Sequence, residues 1–171
     1  YDAQRKVQEI VQSIYEEETP EKIRKMGIDV EIGEAQFVDS HTITVNDTHY
    51  SAKRIIIATG SHARKLKIDG VDEKDILTNK EIFNFTNKKI AIVGAGPIGC
   101  ELTQALNGFD VEVHLINNSN AILAREDEEA AKQVEKQMQD EGVNILHNSK
   151  ILKGEKIFES LYKLTIETTN K

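Results

Sequence analysis

A short apolar run, Ile90-Ala91-Ile92-Val93, leads without a gap into Gly94-Ala95-Gly96-Pro97-Ile98-Gly99. Helix-forming residues follow from Glu101 to Leu106, and a second apolar run extends from Val111 to Ile116. Few folds accommodate that order. Strand, Gly-x-Gly-x-x-Gly, helix and strand together define a βαβ unit whose strands run parallel. Each glycine answers a different steric demand. Gly94 permits a tight turn, Gly96 lets the backbone approach a pyrophosphate, and Gly99 lets helix and strand pack closely. The helix start adds unpaired N–H groups and the positive end of a dipole, both suited to phosphate. Without such flanks the same glycines would be an ordinary turn. With them, the reading is a dinucleotide site.

The residue closing the second strand of such a unit reports on the coenzyme. An acid there bonds a ribose 2′-OH, whereas a nearby arginine accepts a 2′-phosphate. Here the strand ends in Asn117-Asn118, which meets neither rule. Asn117 can bond ribose hydroxyls without repelling a phosphate, or both asparagines can simply form a turn. Downstream, Asp127 to Glu141 predicts a helix with Asp127 as N-cap, acids in its first turn and Gly142 just past its end. Val143 to Leu146 predicts a third strand, and Leu161 to Ile166 alternates as a further one should. The fold class is therefore α/β, with a Rossmann-like parallel-sheet domain over residues 86–171.

Upstream, Val7, Ile10, Val11 and Ile14 recur at helical spacing between Asp2 and Tyr15. Thr19-Pro20 predicts a second helix start, and Gly27 its stop. Ile28 to Ile32, Thr42 to Val45 and Thr48 to Tyr50 read as strands, the last two joined through Asn46-Asp47. Arg54-Ile55-Ile56-Ile57-Ala58 is a continuous apolar run, expected to be a strand buried on both faces. It ends at Thr59-Gly60-Ser61, a turn whose amides can cradle a cofactor or merely close the strand. The polar stretch from Ser61 to Phe85 reads as a connector, so the expected division is 1–85 and 86–171.

Composition narrows the function. The chain carries 22 Lys+Arg against 29 Asp+Glu, a net charge of −7, which excludes a general nucleic-acid binder. No apolar run approaches the roughly 20 residues of a membrane span. The single cysteine, Cys100, excludes an internal disulfide and a cysteine-based zinc site, and fits a reducing, cytoplasmic setting. Its expected role is a small residue packed against the sheet. The five histidines lack ligand-like spacing, so no metal site is expected. The chain opens Tyr-Asp-Ala with neither initiator Met nor signal peptide, so it is expected to be a piece of a longer protein.

Two segments share a family resemblance. Lys53-Arg54-Ile55-Ile56-Ile57-Ala58-Thr59-Gly60-Ser61 resembles the signature that ends the first FAD-domain segment of pyridine nucleotide–disulfide oxidoreductases. Gly94-Ala95-Gly96-Pro97-Ile98-Gly99-Cys100-Glu101 resembles the NAD(P)-binding motif of the same family. Arg125-Glu126-Asp127 matches its acidic helix start, and Gly27 to Val30 with Gly33-Glu34-Ala35 fits its preceding hairpin region. The resemblance covers nearly the whole chain.

It implies that residues 1–85 are part of an FAD-binding domain and residues 86–171 an NAD(P)-binding domain that is incomplete at its C-terminal side. It implies flavin contacts from Ala35, Thr59, Gly60 and Ser61. It implies pyridine nucleotide contacts from Gly94, Ala95, Gly96, Pro97, Ile98, Gly99, Glu101, Asn117 and Asn118, and from the backbone near Ile151. Glu101 would sit by nicotinamide and flavin, where members pair it with a lysine, and Pro97 stands where some members carry a gating tyrosine. The implied parent is a homodimer that passes a hydride from NAD(P)H to FAD and electrons onward to a disulfide or another acceptor. The family's first Gly-rich FAD motif and its redox-active cysteine pair have no counterpart here, so this chain alone is expected to lack reductase activity and to hold FAD weakly. NAD(H) is favoured over NADP(H), because Asn118 and Ala124 occupy positions where NADP-preferring members place arginines. The competing reading is a non-catalytic NAD(H)-binding sensor or interaction module.

Overall fold

The computed structural model describes residues 2–169, which divide into one compact unit up to His62 and another from Ala63 onward. The first holds helices α1 (Asp2–Glu17) and α2 (Pro20–Lys25) and strands β1 (Ala35–Phe37), β2 (Thr42–Val45) and β3 (Thr48–Ser51). The three strands form an antiparallel sheet in the order β1-β2-β3. As expected, Thr19 caps α2, its hydroxyl accepting the Lys22 N–H at 3.4 Å, with Pro20 in the first turn. Asn46 and Asp47 join β2 to β3 with φ of 49° and 65°, the left-handed pair that a two-residue hairpin needs.

Two expected strands of this unit do not form. Ile28 to Ile32 is irregular, and its carbonyls turn to side chains instead of a ladder. The Arg24 guanidinium donates to the Val30 carbonyl at 2.8 Å, and the Asn46 amide donates to that of Ile32 at 2.8 Å. Arg54 to Ala58 is also irregular, with Ile56 90% and Ile57 69% exposed. A strand buried on both faces requires partners at its edges and layers above and below. Among the described residues none pairs with this run. Its composition is right for a central strand, but pairing, not composition, makes one.

The second unit is built on a parallel sheet in the order β4-β5-β6, from Lys89–Val93, Glu112–Ile116 and Asn144–Leu146. Helices α3 (Pro97–Asn107) and α4 (Glu128–Asp140) make the crossovers. Alternate residues of β5, Val113 and Leu115, are 2% and 0% exposed. Leu115 joins Cys100, Ile122, Met138 and Val143 in a core that also takes in Ile92 and Ile145. Asp127 caps α4 by accepting the Ala130 N–H at 2.9 Å, and Gly142, at φ 87°, follows its end. A long antiparallel hairpin, β7 (Ser149–Phe158) and β8 (Leu161–Thr168), completes the unit.

The segment 63–85 packs within this second unit. Gly154 N–H donates to the Asp69 carbonyl at 2.8 Å, and Asp69 bridges to Lys153 in parallel register. Gly70, at φ 74°, lies so close to β7 that a Cβ there would stand 2.0 Å from the Gly154 carbonyl oxygen. Ile82, in a short 3-10 turn, is only 6% exposed. By packing, the two units part between His62 and Ala63, so most of the connector belongs with the second.

Asp127→Ala removes the acceptor for the Ala130 N–H. It should lower the unfolding free energy by about 1 kcal/mol, read from urea denaturation with unchanged m-value.

Candidate nucleotide-binding site

The backbone ladder of β4 extends one residue past the strand, where Gly94 N–H donates to the Ile116 carbonyl at 2.9 Å. Gly94 then turns the chain at φ 102°, a left-handed value that disfavours any side chain. Gly96 precedes α3 as its N-cap, and Pro97 occupies the first turn. A Cβ built on Gly99 would stand 1.9 Å from the Gly94 carbonyl oxygen. Only hydrogen fits between helix and strand end. A Cβ built on Gly96, by contrast, meets nothing within 4 Å. The first and third glycines therefore build the loop, and the second leaves its outer face open.

The two helix starts of this unit differ in chemistry. Asp127, Glu128 and Glu129 place carboxylates at the start of α4, and Asp127 satisfies a first-turn amide itself. No side chain caps α3, and its first turn contains no acid. No side chain of that first turn offsets the positive end of its dipole. An external anion suits that position.

Gly94, Gly96, Pro97, Ile98, Gly99 and Ile151 line one cleft of about 1010 Å³, which runs along β4 between the sheet and the hairpin. Ile151, which only the resemblance had implied, shares this cleft with the glycine loop. Other sequence-marked residues lie elsewhere. Ala95 is buried, its carbonyl accepting the Leu123 N–H at 2.8 Å and the Cys100 thiol at 3.6 Å. Glu101 is exposed on α3. Ala35, Thr59, Gly60 and Ser61 belong to the first unit and are exposed, with Gly60 at φ 70°.

Asn117 is 4% exposed, and its side chain works inside its own loop. Both amide hydrogens are used, donating to the carbonyls of Ser119 at 3.1 Å and Ala121 at 2.8 Å. Its Oδ1 accepts the Ser119 N–H at 3.3 Å. These bonds make a turn of the kind the sequence allowed. Asn118, next to it, is exposed.

Cys100 is buried as expected, and burial pushes its thiol above the ordinary value, with the Glu101 and Glu135 carboxylates adding to the rise. It is a packing residue, not a poised nucleophile. His114 bonds Glu112 at 3.0 Å and His147 bonds Glu135 at 2.8 Å. Sequence reasoning missed one polar group at the cleft altogether. Asp75, Ser160 and Tyr162 line it, and with Asp72 and Lys156 they form a single network. Its members come from segments some 80 residues apart, and no local pattern announces that meeting.

Residues 2–171 match the family model described as pyridine nucleotide-disulphide oxidoreductase. A mercuric reductase of Lysinibacillus sphaericus is 34% identical over 126 residues, covering 72% of this chain and 23% of that protein. A dihydrolipoyl dehydrogenase of Bacillus subtilis is 37% identical over 102 residues, 58% of this chain and 22% of that protein. Among solved structures, the HOCl-induced flavoprotein disulfide reductase RclA of Escherichia coli, in its Cu(II) complex, has a TM-score of 0.70 at 21% identity. That match covers 94% of this chain and 39% of that one. The chain spans about a quarter or less of the length of the mercuric reductases it matches.

The glycine geometry separates stability from openness. Gly99→Ala should destabilise the chain by about 1–3 kcal/mol, because a backbone carbonyl must move. Gly96→Ala should cost under about 1 kcal/mol. Urea denaturation of both variants checks the contrast, and equal losses would contradict it.

Proposed function

The chain belongs to the pyridine nucleotide-disulphide oxidoreductase family, and from that premise we propose that its second unit binds a pyridine nucleotide through the Gly94–Gly99 loop. In the parent enzyme the nucleotide supplies a hydride to FAD, and electrons pass on to a disulfide or another acceptor. The observation that carries the proposal is the asymmetry of the three glycines. Gly94 and Gly99 are required by the loop's own backbone, whereas a Cβ on Gly96 would project into open space. Nothing internal to the fold asks for glycine there, but a closely approaching pyrophosphate does.

On this reading the amides at the start of α3 face the pyrophosphate, helped by the uncapped dipole. Ile98 and Ile151 offer apolar contact along the cleft. Asn117 keeps the loop after β5 in shape through its three hydrogen bonds, and the exposed Asn118 offers its amide to the ribose hydroxyls. Glu101, exposed one turn into α3, is placed towards the nicotinamide and flavin in the whole enzyme. Ala35 and the Thr59-Gly60-Ser61 turn are the chain's contribution to the flavin site. The parent is proposed to be a homodimer and cytoplasmic; no helix among the described residues is long and apolar enough to cross a membrane.

Coenzyme choice follows from what the β5–α4 loop lacks. Asn118 and Ala124 supply no guanidinium, so the bidentate clamp expected at those two positions is missing. Asn117 supplies no carboxylate, so nothing repels one either. The balance favours NAD(H), weakly.

Gly96→Val should weaken NADH binding by at least about tenfold, or 1.4 kcal/mol, in calorimetric titration. Circular dichroism should show the fold intact. Unchanged affinity would make the loop a structural turn and end the proposal. Titrated at one ionic strength, NADH should bind as tightly as NADPH or up to about tenfold more tightly. Clearly tighter NADPH binding would reveal a phosphate clamp elsewhere, with Arg125 the first residue to replace.

A further inference from the structure

Five side chains from two distant segments meet at the rim of the cleft. Lys156 of β7 places its ammonium 2.7 Å from Asp72 and 3.3 Å from Asp75. Tyr162 of β8 donates its hydroxyl to Asp75 at 2.6 Å and accepts the Asp72 N–H at 3.2 Å. Ser160 also donates to Asp75, at 3.3 Å. The Lys156 ammonium lies 5.6 Å from the centroid of the Tyr162 ring, close enough for a cation–π contact. Every hydrogen bond and ion pair in the set joins Asp72 or Asp75 to the hairpin.

The network is more than a scatter of surface ion pairs. An isolated exposed pair contributes little, because two long side chains must be ordered for one contact. Here one lysine serves two carboxylates, and the side chain of Asp75 is only 12% exposed. The Asp72 backbone amide is held as well, so the network grips main chain and not only side chains. A second attachment lies three residues upstream, where Gly70 abuts the Gly154 carbonyl and Gly154 N–H bonds Asp69. Beyond Asp75 the same segment supplies Ile76, Leu77, Ile82 and Phe85 to the wall of the cleft that ends at the glycine loop.

We propose that Lys156, Asp72, Asp75 and Tyr162 form a latch that fixes the 69–76 segment on the β7–β8 hairpin and thereby sets the wall of the nucleotide cleft. These four are positioning residues; they act through the segment they hold. The second half of the proposal rests on the nucleotide-binding reading, and the first half does not. Charge balance gives the latch a pH dependence. The Lys156 hydrogen bond holds Asp72 below the ordinary carboxylate value of 3.8, with Lys74 assisting. The Tyr162 hydroxyl does the same for Asp75, followed by Lys156 and Ser160. Lys156 is raised in return, chiefly by its bond to Asp72. Carboxylates with depressed values stabilise the latched state above their ordinary value, and that stabilisation is lost as pH falls through the depressed values. At neutral pH the latch is closed.

The test uses the full chain at pH 7, with amide hydrogen exchange read by mass spectrometry. Lys156→Met and Tyr162→Phe should each speed exchange of amides in 69–76 by about tenfold or more, leaving β4, β5 and α3 unchanged. Lys156→Arg, whose fork can bridge both carboxylates, should restore protection. Unchanged exchange in 69–76, or equal loss across the sheet, overturns the latch. In parallel, Lys156→Met should weaken NADH binding by about threefold or more and Lys156→Arg should recover it. An opened segment with unaltered NADH affinity overturns the positioning role. If the unmodified chain binds no NADH, the nucleotide reading falls, while the exchange data still decide the latch.

Discussion

The approach of Gly99 to the Gly94 carbonyl is the contact on which the second unit depends. It allows α3 to start directly above the end of β4, with no side chain between them. From that point the rest is constrained. The Gly94 amide continues the ladder to Ile116, and the Ala95 carbonyl ties the loop to Leu123 after β5. One turn later Cys100 and Thr103 enter the interior, 4% and 0% exposed. The contact that shapes the glycine loop also seats the first core residues of the helix. Glycine is thus demanded by the backbone at Gly94 and Gly99, and not at Gly96.

Much of this unit was legible because its determinants are local. Strand, glycine spacing, helix start and the Asp127 cap are set within a few residues of one another, and each forms where the sequence places it. The failures have the opposite character. Arg54 to Ala58 has the apolar content of a central strand but no strand partner among the described residues, and Ile56 and Ile57 lie open. Ile28 to Ile32 alternates correctly, yet its carbonyls are taken by Arg24 and Asn46. β7 escaped notice because Lys150, Lys153, Glu155 and Lys156 interrupt its apolar pattern. Its pairing with β8 also shifts register twice, which breaks any simple alternation.

Asn117 shows why a motif position and a role are different things. Sequence places it where a ribose ligand belongs, and its chemistry permits that role. Folding uses its amide first, because a buried strand end followed by Asn118-Ser119 leaves carbonyls that need donors. The latch is the converse case. Lys156 and Tyr162 carry no motif, and Asp72 and Asp75 read as an ordinary polar connector. Their significance arises only once the hairpin folds back across more than 80 residues of chain.

The distribution of charge bears on the proposed role of the cleft. A chain of net charge −7 should repel anions, so any anion site must be local. The acids are arranged so that it can be. Those at the start of α4 complement that helix's own dipole, Glu112 pairs with Lys89, and Asp72 and Asp75 are held by Lys156. The first turn of α3 itself contains none, and no side chain caps it. The field that the loop presents is therefore that of bare amides and a helix end, acting over a few ångströms where screening is least effective. On the proposed reading, such a site takes a phosphate that can reach the backbone, which the absent side chain of Gly96 permits.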